Sequence, residues 1–373
     1  MFKQYKLKDY HFQLVLCVCA LTIIGIFVIG SARPDLQPKQ ILGFVIGLCI
    51  MVAVSLIDYT YLLKFPWVYY AAMMVLLLAV EFWGKNVNGA QRWLELWEDG
   101  IQIQPSEFAK LAIIAFFAYF FSKYQDNLNS MKNIGVSLGL VGLPLFFILS
   151  QPDLSTTIVT ALIFIVLLFI AGLSYKIIVS VLAVVVPIVV VLLIYVIQLA
   201  KATDVTVPYQ LKRVLAWLYP TDPRFSEIAL QQQNSIMAIG SGQLWGKGLY
   251  NSEATSMKNA NYILEPQTDF IFAVIGEELG FLGCSIIVIL LLITVIECIY
   301  IGSKAKDLQG KLFCCGMGAW IGFQSFVNIC VNTGLMPNTG LPLPFVSYGL
   351  SSVIAIYIGI GFVLNIGLQP KKY

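Results

Sequence analysis

Histidine is almost absent from this sequence, since His11, near the N-terminus, is the only one in 373 residues. With this single imidazole the chain cannot assemble a Ser-His-Asp triad or a multi-histidine zinc site from its own residues. Several classes of enzyme are therefore excluded.

Charged residues are also scarce. They make up 12% of the chain, against 59% hydrophobic residues, whereas an ordinary soluble domain has roughly 25% charged and 45 to 50% apolar residues. This composition excludes a soluble globular protein. The 23 basic and 20 acidic residues are spread widely, without the clustered basic face that nucleic-acid binding requires. We expect membrane lipid as a partner and no nucleic acid.

Disulfide and repeat patterns are missing as well. All eight cysteines lie inside apolar runs, where free cysteine acts as a small packing residue. No low-complexity tract or internal repeat is visible in the sequence, which weakens an inverted-repeat transporter fold.

Long apolar runs dominate what is present. A helix needs roughly 20 apolar residues to cross the bilayer, and ten runs approach or exceed this length: 12–31, 40–57, 61–82, 106–124, 134–150, 154–172, 175–199, 268–301, 311–333 and 346–367. They predict an all-α polytopic membrane protein with about ten transmembrane helices, forming a single domain over 1–373. The eighth run is too long for one straight crossing and contains Gly276, Gly280 and Gly283, which predicts tilting, a kink or a start outside the bilayer.

The distribution of lysine and arginine predicts the orientation. Lysines dominate the loops on the side of the N-terminus, from Lys3 to Lys372, whereas the short loops on the opposite side hold only Arg33, Lys39, Lys85 and Arg92. We expect both termini in the cytoplasm, in a multi-pass membrane protein. The hydrophilic segments 83–105 and 200–267 then lie outside.

The long outer segment 200–267 has features of a folded extracellular subdomain. Apolar residues recur at helical spacing from Leu211 to Leu218, which predicts an amphipathic helix lying at the membrane interface. Asp222 and Pro223 provide an N-cap and a first-turn proline for a second helix over roughly 223–239.

Glu107 and Lys110 are ionisable residues near the outer end of the fourth run, three positions apart and therefore on one helix face. Charged residues at membrane depth are costly and are candidates for function. Two alternatives remain open: a structural ion pair, or a pair that lines a polar cavity and meets a charged headgroup.

Asp269 lies at the boundary between the long outer segment and the eighth run. An aspartate there can cap the helix N-terminus, where the helix dipole keeps it ionised. The alternative is a general base. Glu277 and Glu278 lie about 12 to 14 Å deeper along the helix, and the sequence does not decide whether they are hydrogen-bonded structural groups or members of a proton relay.

Two further polar features stand out. Arg92, beside aromatic residues in the first outer segment, has the geometry to hold a phosphate with two hydrogen bonds. Gln324, Asn328 and Asn332 form a stripe at helical spacing on the ninth run, which predicts interhelical hydrogen bonds. The proline-rich and glycine-rich loop that follows needs an irregular backbone covered by protein or by a cavity.

Together these motifs resemble the shape, elongation, division and sporulation family, whose members include RodA, FtsW and SpoVE. The fragments occur in family order along nearly the whole chain: 88–94 (NGAQRWL), 104–110 (QPSEFAK), 151–157 (QPDLSTT), 239–248 (IGSGQLWGKG), 265–272 (EPQTDFIF), 275–281 (IGEELGF) and 340–352 (GLPLPFVSYGLSS). One departure is Leu350, which stands where the family usually has a second glycine.

The resemblance implies a peptidoglycan glycosyltransferase that polymerises lipid II into a nascent glycan strand, beside a class B penicillin-binding protein. Asp269 matches the essential aspartate of the family, and Glu107 and Lys110 match its supporting charged pair. For this chemistry we expect Asp269 to be the base, and a divalent cation such as Mg or Mn is a possible cofactor. We predict substrate binding by Arg92, Arg213, Lys247, Gln267, Asp153 and Ser347.

Two other functions remain open at the level of sequence. A lipid II flippase would also use the intramembrane charges, and a scaffold that recruits a penicillin-binding protein would need them only for packing. The boundary position of Asp269 and the large outer segment favour the enzyme. The short tails favour a RodA-like role over one in division.

Overall fold

A computed structural model describes residues 10–87, 90–95, 102–202, 209–251, 256–260 and 262–371. These residues form thirteen α-helices: α1 (Phe12–Ala32), α2 (Gln37–Leu56), α3 (Tyr59–Leu62), α4 (Pro66–Trp83), α5 (Pro105–Lys123), α6 (Met131–Ser150), α7 (Leu154–Ile170), α8 (Tyr175–Ala202), α9 (Tyr209–Leu218), α10 (Ser226–Ser241), α11 (Ile271–Ser303), α12 (Leu308–Asn332) and α13 (Leu350–Gly367). Three short strands accompany them: β1 (Lys85–Val87), β2 (Ala90–Glu95) and β3 (Gln102–Ile103).

Eight helices in the described part of the chain are long and apolar enough to cross a bilayer, namely α1, α2, α4, α5, α6, α11, α12 and α13. The sixth predicted run forms α7, which is apolar but only 17 residues long, and the seventh forms α8, with 28 residues. The prediction of an all-α polytopic membrane protein is confirmed.

The centre of the bundle consists of α5, α12 and α13, in which most residues are buried. Only a minority of the residues of α2 and α6 are buried. α13 packs along α2, and α12 packs along α11. The approach of α13 to α2 requires a small residue at Gly361, because a Cβ there would lie 2.8 Å from the carbonyl oxygen of Met51. The central position of α5 and α12 brings their polar residues into contact.

α11 is kinked at Gly280, where φ is 65° and ψ is −164°. Backbone groups of the outer segment fill the break: Lys247 N donates to Glu277 O at 2.9 Å, and Phe281 N donates to Gln243 O at 2.8 Å. Of the alternatives predicted for the eighth run, the structure shows the kink. It separates a short N-terminal part of the helix, next to Asp269, from a longer C-terminal part.

The outer segment after α8 contains both predicted helices. The buried residues of α9, Leu215 and Ala216, pack against Phe225 and Ala229 beside and on α10, so this side of α9 faces α10 and not the lipid surface. α10 begins at Ser226 and not at Pro223, since Asp222 accepts hydrogen bonds from the backbone and side chain of Arg224 and so forms a turn.

A small antiparallel sheet in the order β1-β2-β3 precedes α5. The sequence did not predict these strands, which are short and lie in a polar segment. β2 carries Arg92. Just before α5 begins, Gln104 N donates to Ser351 Oγ at 3.1 Å, which joins the end of the sheet to α13. The sheet thereby positions Arg92 on the same side of the bundle as the start of α5.

Candidate active site

Asp269 lies in the turn immediately before α11, and its side chain is partly exposed. The N-cap position is Phe270, and the backbone N–H of Ala273 in the first turn donates to Asn332 Oδ1 at 3.1 Å. The alternative in which Asp269 caps this helix is therefore wrong, because an amide from α12 does the capping.

The backbone of Asp269 is fixed by α12. Asn328 Nδ2 and Asn332 Nδ2 each donate to Asp269 O, in both cases at 2.9 Å. Both asparagines are fully buried. The hydrogen bonding predicted for the polar stripe is confirmed, and its effect is to hold the candidate base in one position.

Two predicted substrate-binding residues support the same turn. Ser347 Oγ donates to Thr268 O at 2.6 Å, so its hydroxyl acts on the backbone next to Asp269. The backbone of Gln267 accepts from Tyr348 N at 2.8 Å, while Gln267 Nε2 donates to Glu265 Oε2 at 2.7 Å. The loop between α12 and α13 therefore also holds this turn in place.

The surroundings of Asp269 raise its pKa to about 6. Removal of water by the surrounding protein is the largest cause, and the neighbouring carboxylates of Glu265 and Asp153 also raise the pKa. The positive charges of Arg213 and Arg92 act in the opposite direction. A carboxyl group with this pKa is mostly ionised at pH 7 and is a stronger base than an ordinary aspartate.

Arg213, on α9, reaches the same point from the outer segment. A Cβ added to Gly340 would lie 3.4 Å from Asp269 Oδ2 and 3.3 Å from Arg213 Nη1. The guanidinium and the carboxylate therefore both lie on the side of Gly340 where a Cβ would be, and its φ of +78° suits glycine. Arg213, predicted as a substrate-binding residue, therefore lies beside the candidate base, and its binding role stays a prediction.

Arg92 and Asp153 meet at the start of α7. Arg92 Nε donates to Gln151 O at 3.1 Å, and its Nη2 donates to Pro152 O. Asp153 caps α7 by accepting from Thr156 N at 3.1 Å. Both side chains thus have structural contacts, and both lie close enough to Asp269 to affect its pKa.

Glu107 and Lys110 form a fully buried ion pair with an Nζ to Oε1 distance of 2.6 Å. Lys110 Nζ also donates to Gln324 Oε1 at 2.6 Å and lies 4.8 Å from the ring centroid of Trp320. Gln324 Nε2 in turn donates to Pro342 O at 2.9 Å. The pair therefore joins α5 to α12 and, through Gln324, to the loop that covers Asp269.

Lys247 contacts Glu277, about 12 Å along α11 from Asp269, with a distance of 2.8 Å between Nζ and Oε1. Lys258 Nζ lies 2.5 Å from Glu278 Oε1. Both glutamates are thus hydrogen-bonded, and they attach the outer segment to α11. The structure does not bring Lys247 next to Asp269.

Within the described residues, no group of three or more His, Cys, Asp or Glu side chains is placed to hold a metal ion. These residues alone do not form a cation site, and the expectation of Mg or Mn stays a prediction.

Comparison with known proteins gives the family. The sequence model for FtsW, RodA and SpoVE, described as "Cell cycle protein", matches residues 10–372. The chain belongs to this family. The resemblance inferred from the motifs is confirmed.

Several members of the FtsW/RodA/SpoVE family are similar over nearly their whole length. A probable peptidoglycan glycosyltransferase FtsW of Trichlorobacter lovleyi is 33% identical, covering 99% of this chain and 96% of the relative. The peptidoglycan glycosyltransferase MrdB of Escherichia coli (strain K12) is 33% identical, covering 96% and 93%.

Two solved structures have the same fold. A chain reported under "Structural coordination of polymerization and crosslinking by a peptidoglycan synthase complex" superposes with a TM-score of 0.77 at 27% identity, covering 96% of this chain and 97% of the other. The rod shape determining protein RodA of Thermus thermophilus gives 0.68 at 26% identity, with 96% of each chain covered.

Leu350, the departure from the usual family pattern, is the first residue of α13. Its side chain faces α2, because a Cβ added to Gly43 would lie 2.6 Å from Leu350 Cδ2. The leucine is therefore accommodated by a glycine on the neighbouring helix.

Sequence reasoning missed three residues of the site. Gly340, Asn338 and Thr339 lie on the loop beside Asp269 and Arg213, and no role was assigned to them. Gly340, a glycine within a proline-rich loop, did indicate an unusual backbone at this position. It did not indicate which residue that backbone contacts, because Asp269 lies 71 positions away in the sequence.

Proposed function

We propose that this chain is a peptidoglycan glycosyltransferase that polymerises lipid II at the outer face of the bacterial cytoplasmic membrane. The names of its relatives support glycosyltransferase activity. The observation that carries the proposal is Asp269, a carboxyl group with a pKa of about 6 held beside Arg213 where the outer segment enters α11.

In the proposed step, the 4-hydroxyl oxygen of the acceptor sugar bonds to the anomeric carbon of the donor. Asp269 accepts the proton of that hydroxyl. The bond between the anomeric carbon and the diphosphate oxygen breaks, and undecaprenyl diphosphate leaves with the electron pair. A single displacement of this kind inverts the α-linked donor and gives a β-1,4 glycan strand.

The negative charge that develops on the diphosphate requires positive charge nearby. Arg213 is the best placed group, since it lies beside Asp269, and Arg92 is near enough to influence the same carboxyl. Lys110 is engaged with Glu107, and Lys247 is engaged with Glu277. A divalent cation, when bound, would supply further positive charge to the diphosphate.

We propose a class B penicillin-binding protein as the partner that crosslinks the strands. One structural neighbour belongs to a peptidoglycan synthase complex that coordinates polymerisation and crosslinking. In this arrangement both termini are cytoplasmic, and the sheet, α9 and α10 lie outside, where the donor sugars are.

Asn332 positions Asp269 and provides a first prediction. Asn332→Asp keeps an acceptor for Ala273 N but replaces the donor to Asp269 O by an oxygen that repels it. We expect glycan synthesis to fall by about tenfold and the melting temperature to fall by several degrees. Ser325→Ala, a buried position on the same helix, is the control, and equal effects of both changes would contradict a positioning role.

The function itself is tested with purified protein, fluorescent lipid II and the partner in proteoliposomes. We expect fluorescent glycan strands that remain in the aqueous phase when the lipid is extracted and that a muramidase cleaves into fragments. Movement of labelled lipid II between leaflets, with no glycan under any partner condition, would favour the flippase and contradict the proposal.

A further inference from the structure

We infer that Gln267, Asn338 and Thr339 form a subsite that binds hydroxyl groups of the acceptor sugar beside Asp269. The inference rests on the proposed glycosyltransferase function. It assigns the three residues a role in holding the substrate that receives the new bond, whereas Asp269 takes its proton.

The first observation is a set of buried oxygens without a donor. Gln267 Oε1, Asn338 Oδ1 and Thr339 Oγ1 are buried, and within the described chain nothing donates a hydrogen bond to them. Gln267 and Asn338 are each only 6% exposed. Buried polar atoms are nearly always hydrogen-bonded in native proteins, so three such atoms on the two segments that lead to Asp269 and to Gly340 indicate a polar ligand.

The identity of the unpaired atom is settled for Gln267. Its side-chain nitrogen donates to Glu265 Oε2 at 2.7 Å, the direction that pairs an amide NH2 group with a carboxylate oxygen. The atom left without a donor is therefore the amide oxygen.

The second observation is the placement of these residues. Asn338 and Thr339 immediately precede Gly340, the residue whose Cβ position is 3.4 Å from Asp269 Oδ2. Consecutive Cα atoms are about 3.8 Å apart, so both side chains originate close to the base. Ser155 Oγ donates to Thr339 O at 2.7 Å, which fixes this part of the loop to α7.

The chemistry of these atoms selects the ligand. Amide oxygens can only accept hydrogen bonds, so the ligand must offer O–H or N–H donors. The acceptor sugar offers a hydroxyl on C3, next to the reacting C4, and another on C6. The leaving diphosphate has only negative oxygens, which the two amide oxygens would repel, so we assign the subsite to the acceptor sugar and not to the leaving group.

The test begins with Thr339→Val, which removes the hydroxyl but keeps the shape. We expect KM for lipid II as acceptor to rise about tenfold, with kcat changed less than about twofold. The reason is that the hydrogen bond to the acceptor sugar stabilises the ground state and the transition state equally, so its loss weakens binding and not the chemical step. Asn338→Ala should have the same effect, and Thr339→Ser should restore KM. Thr160→Val is the matched control, since Thr160 Oγ1 is also buried without a partner in the described residues but lies on α7 in the core.

Substrate analogues complete the experiment. Two analogues of lipid II are used, whose terminal sugar lacks either the 3-hydroxyl or the 6-hydroxyl. Both should be poorer acceptors than lipid II for the wild type. With the analogue that lacks the hydroxyl bound by Thr339, the Thr339→Val variant should have the same KM as with lipid II. The subsite would be overturned if Thr339→Val and Asn338→Ala both had the wild-type KM. It would also be overturned if each analogue raised KM equally in the wild type and in Thr339→Val. Neither result would affect polymerisation by the wild type. Absence of glycan with the wild type would overturn the proposed function as well.

Discussion

Asp269→Asn is expected to lower the rate of glycan synthesis by about a thousandfold while the protein stays folded and inserted in the membrane. Asparagine has the same shape but cannot take a proton at neutral pH. The hydrogen bonds that hold this residue run from Asn328 and Asn332 to its backbone oxygen, so the substitution leaves them in place. Product formation, binding of labelled lipid II and melting temperature are measured together.

The control for this variant is Asp222→Asn, in the same outer segment, where the carboxylate pairs with exposed Arg224. We expect no change in rate, because exposed ion pairs contribute little. Full polymerisation by Asp269→Asn would remove the base assignment. Loss of folding in that variant would instead indicate a structural role.

Lys110→Met is expected to cause the largest loss of stability, about 3 to 5 kcal/mol. The change leaves the buried Glu107 carboxylate without its positive partner and removes the donor to Gln324 Oε1. The double variant Glu107→Gln with Lys110→Met should recover much of this loss, since it buries no uncompensated charge. Denaturant unfolding of the detergent-solubilised protein gives both values.

The same double variant separates structure from function in the charged pair. If the pair also supports substrate binding, as its match to the family pair implies, the stable double variant will bind lipid II more weakly than the wild type. A Lys110→Met variant as stable as the wild type, or a double variant no more stable than the single one, would contradict the buried-pair account.

The membrane architecture could be predicted because it depends on local composition. Apolar runs of membrane length predicted the spans. The glycines of the eighth run predicted tilting, a kink or a start outside the bilayer, and α11 has the kink, at Gly280. The boundary position of Asp269 could also be read from the chain, because the polar segment ends there. The polar spacing of Gln324, Asn328 and Asn332 predicted hydrogen bonds between helices.

What could not be predicted depends on partners distant in sequence. A capping role for Asp269 follows from local preference, but Asn332, 63 positions later, caps the helix and leaves the aspartate outside it. Lys247 was a reasonable phosphate ligand by charge, but the folded outer segment pairs it with Glu277. The unpaired oxygens of the loop beside Gly340 follow only from three-dimensional packing.

The most direct test of Asp269 as the base is the pH dependence of kcat/KM for polymerisation between pH 5 and 8 in partner-containing proteoliposomes. The base must be ionised, and burial raises its pKa to about 6, so activity is lost as pH falls through this value. The account predicts half-maximal kcat/KM near pH 6, about tenfold loss per unit below it, and no such limb in the residual activity of Asp269→Asn. A wild-type profile that is flat over this range, or a limb that persists unchanged in Asp269→Asn, would contradict it.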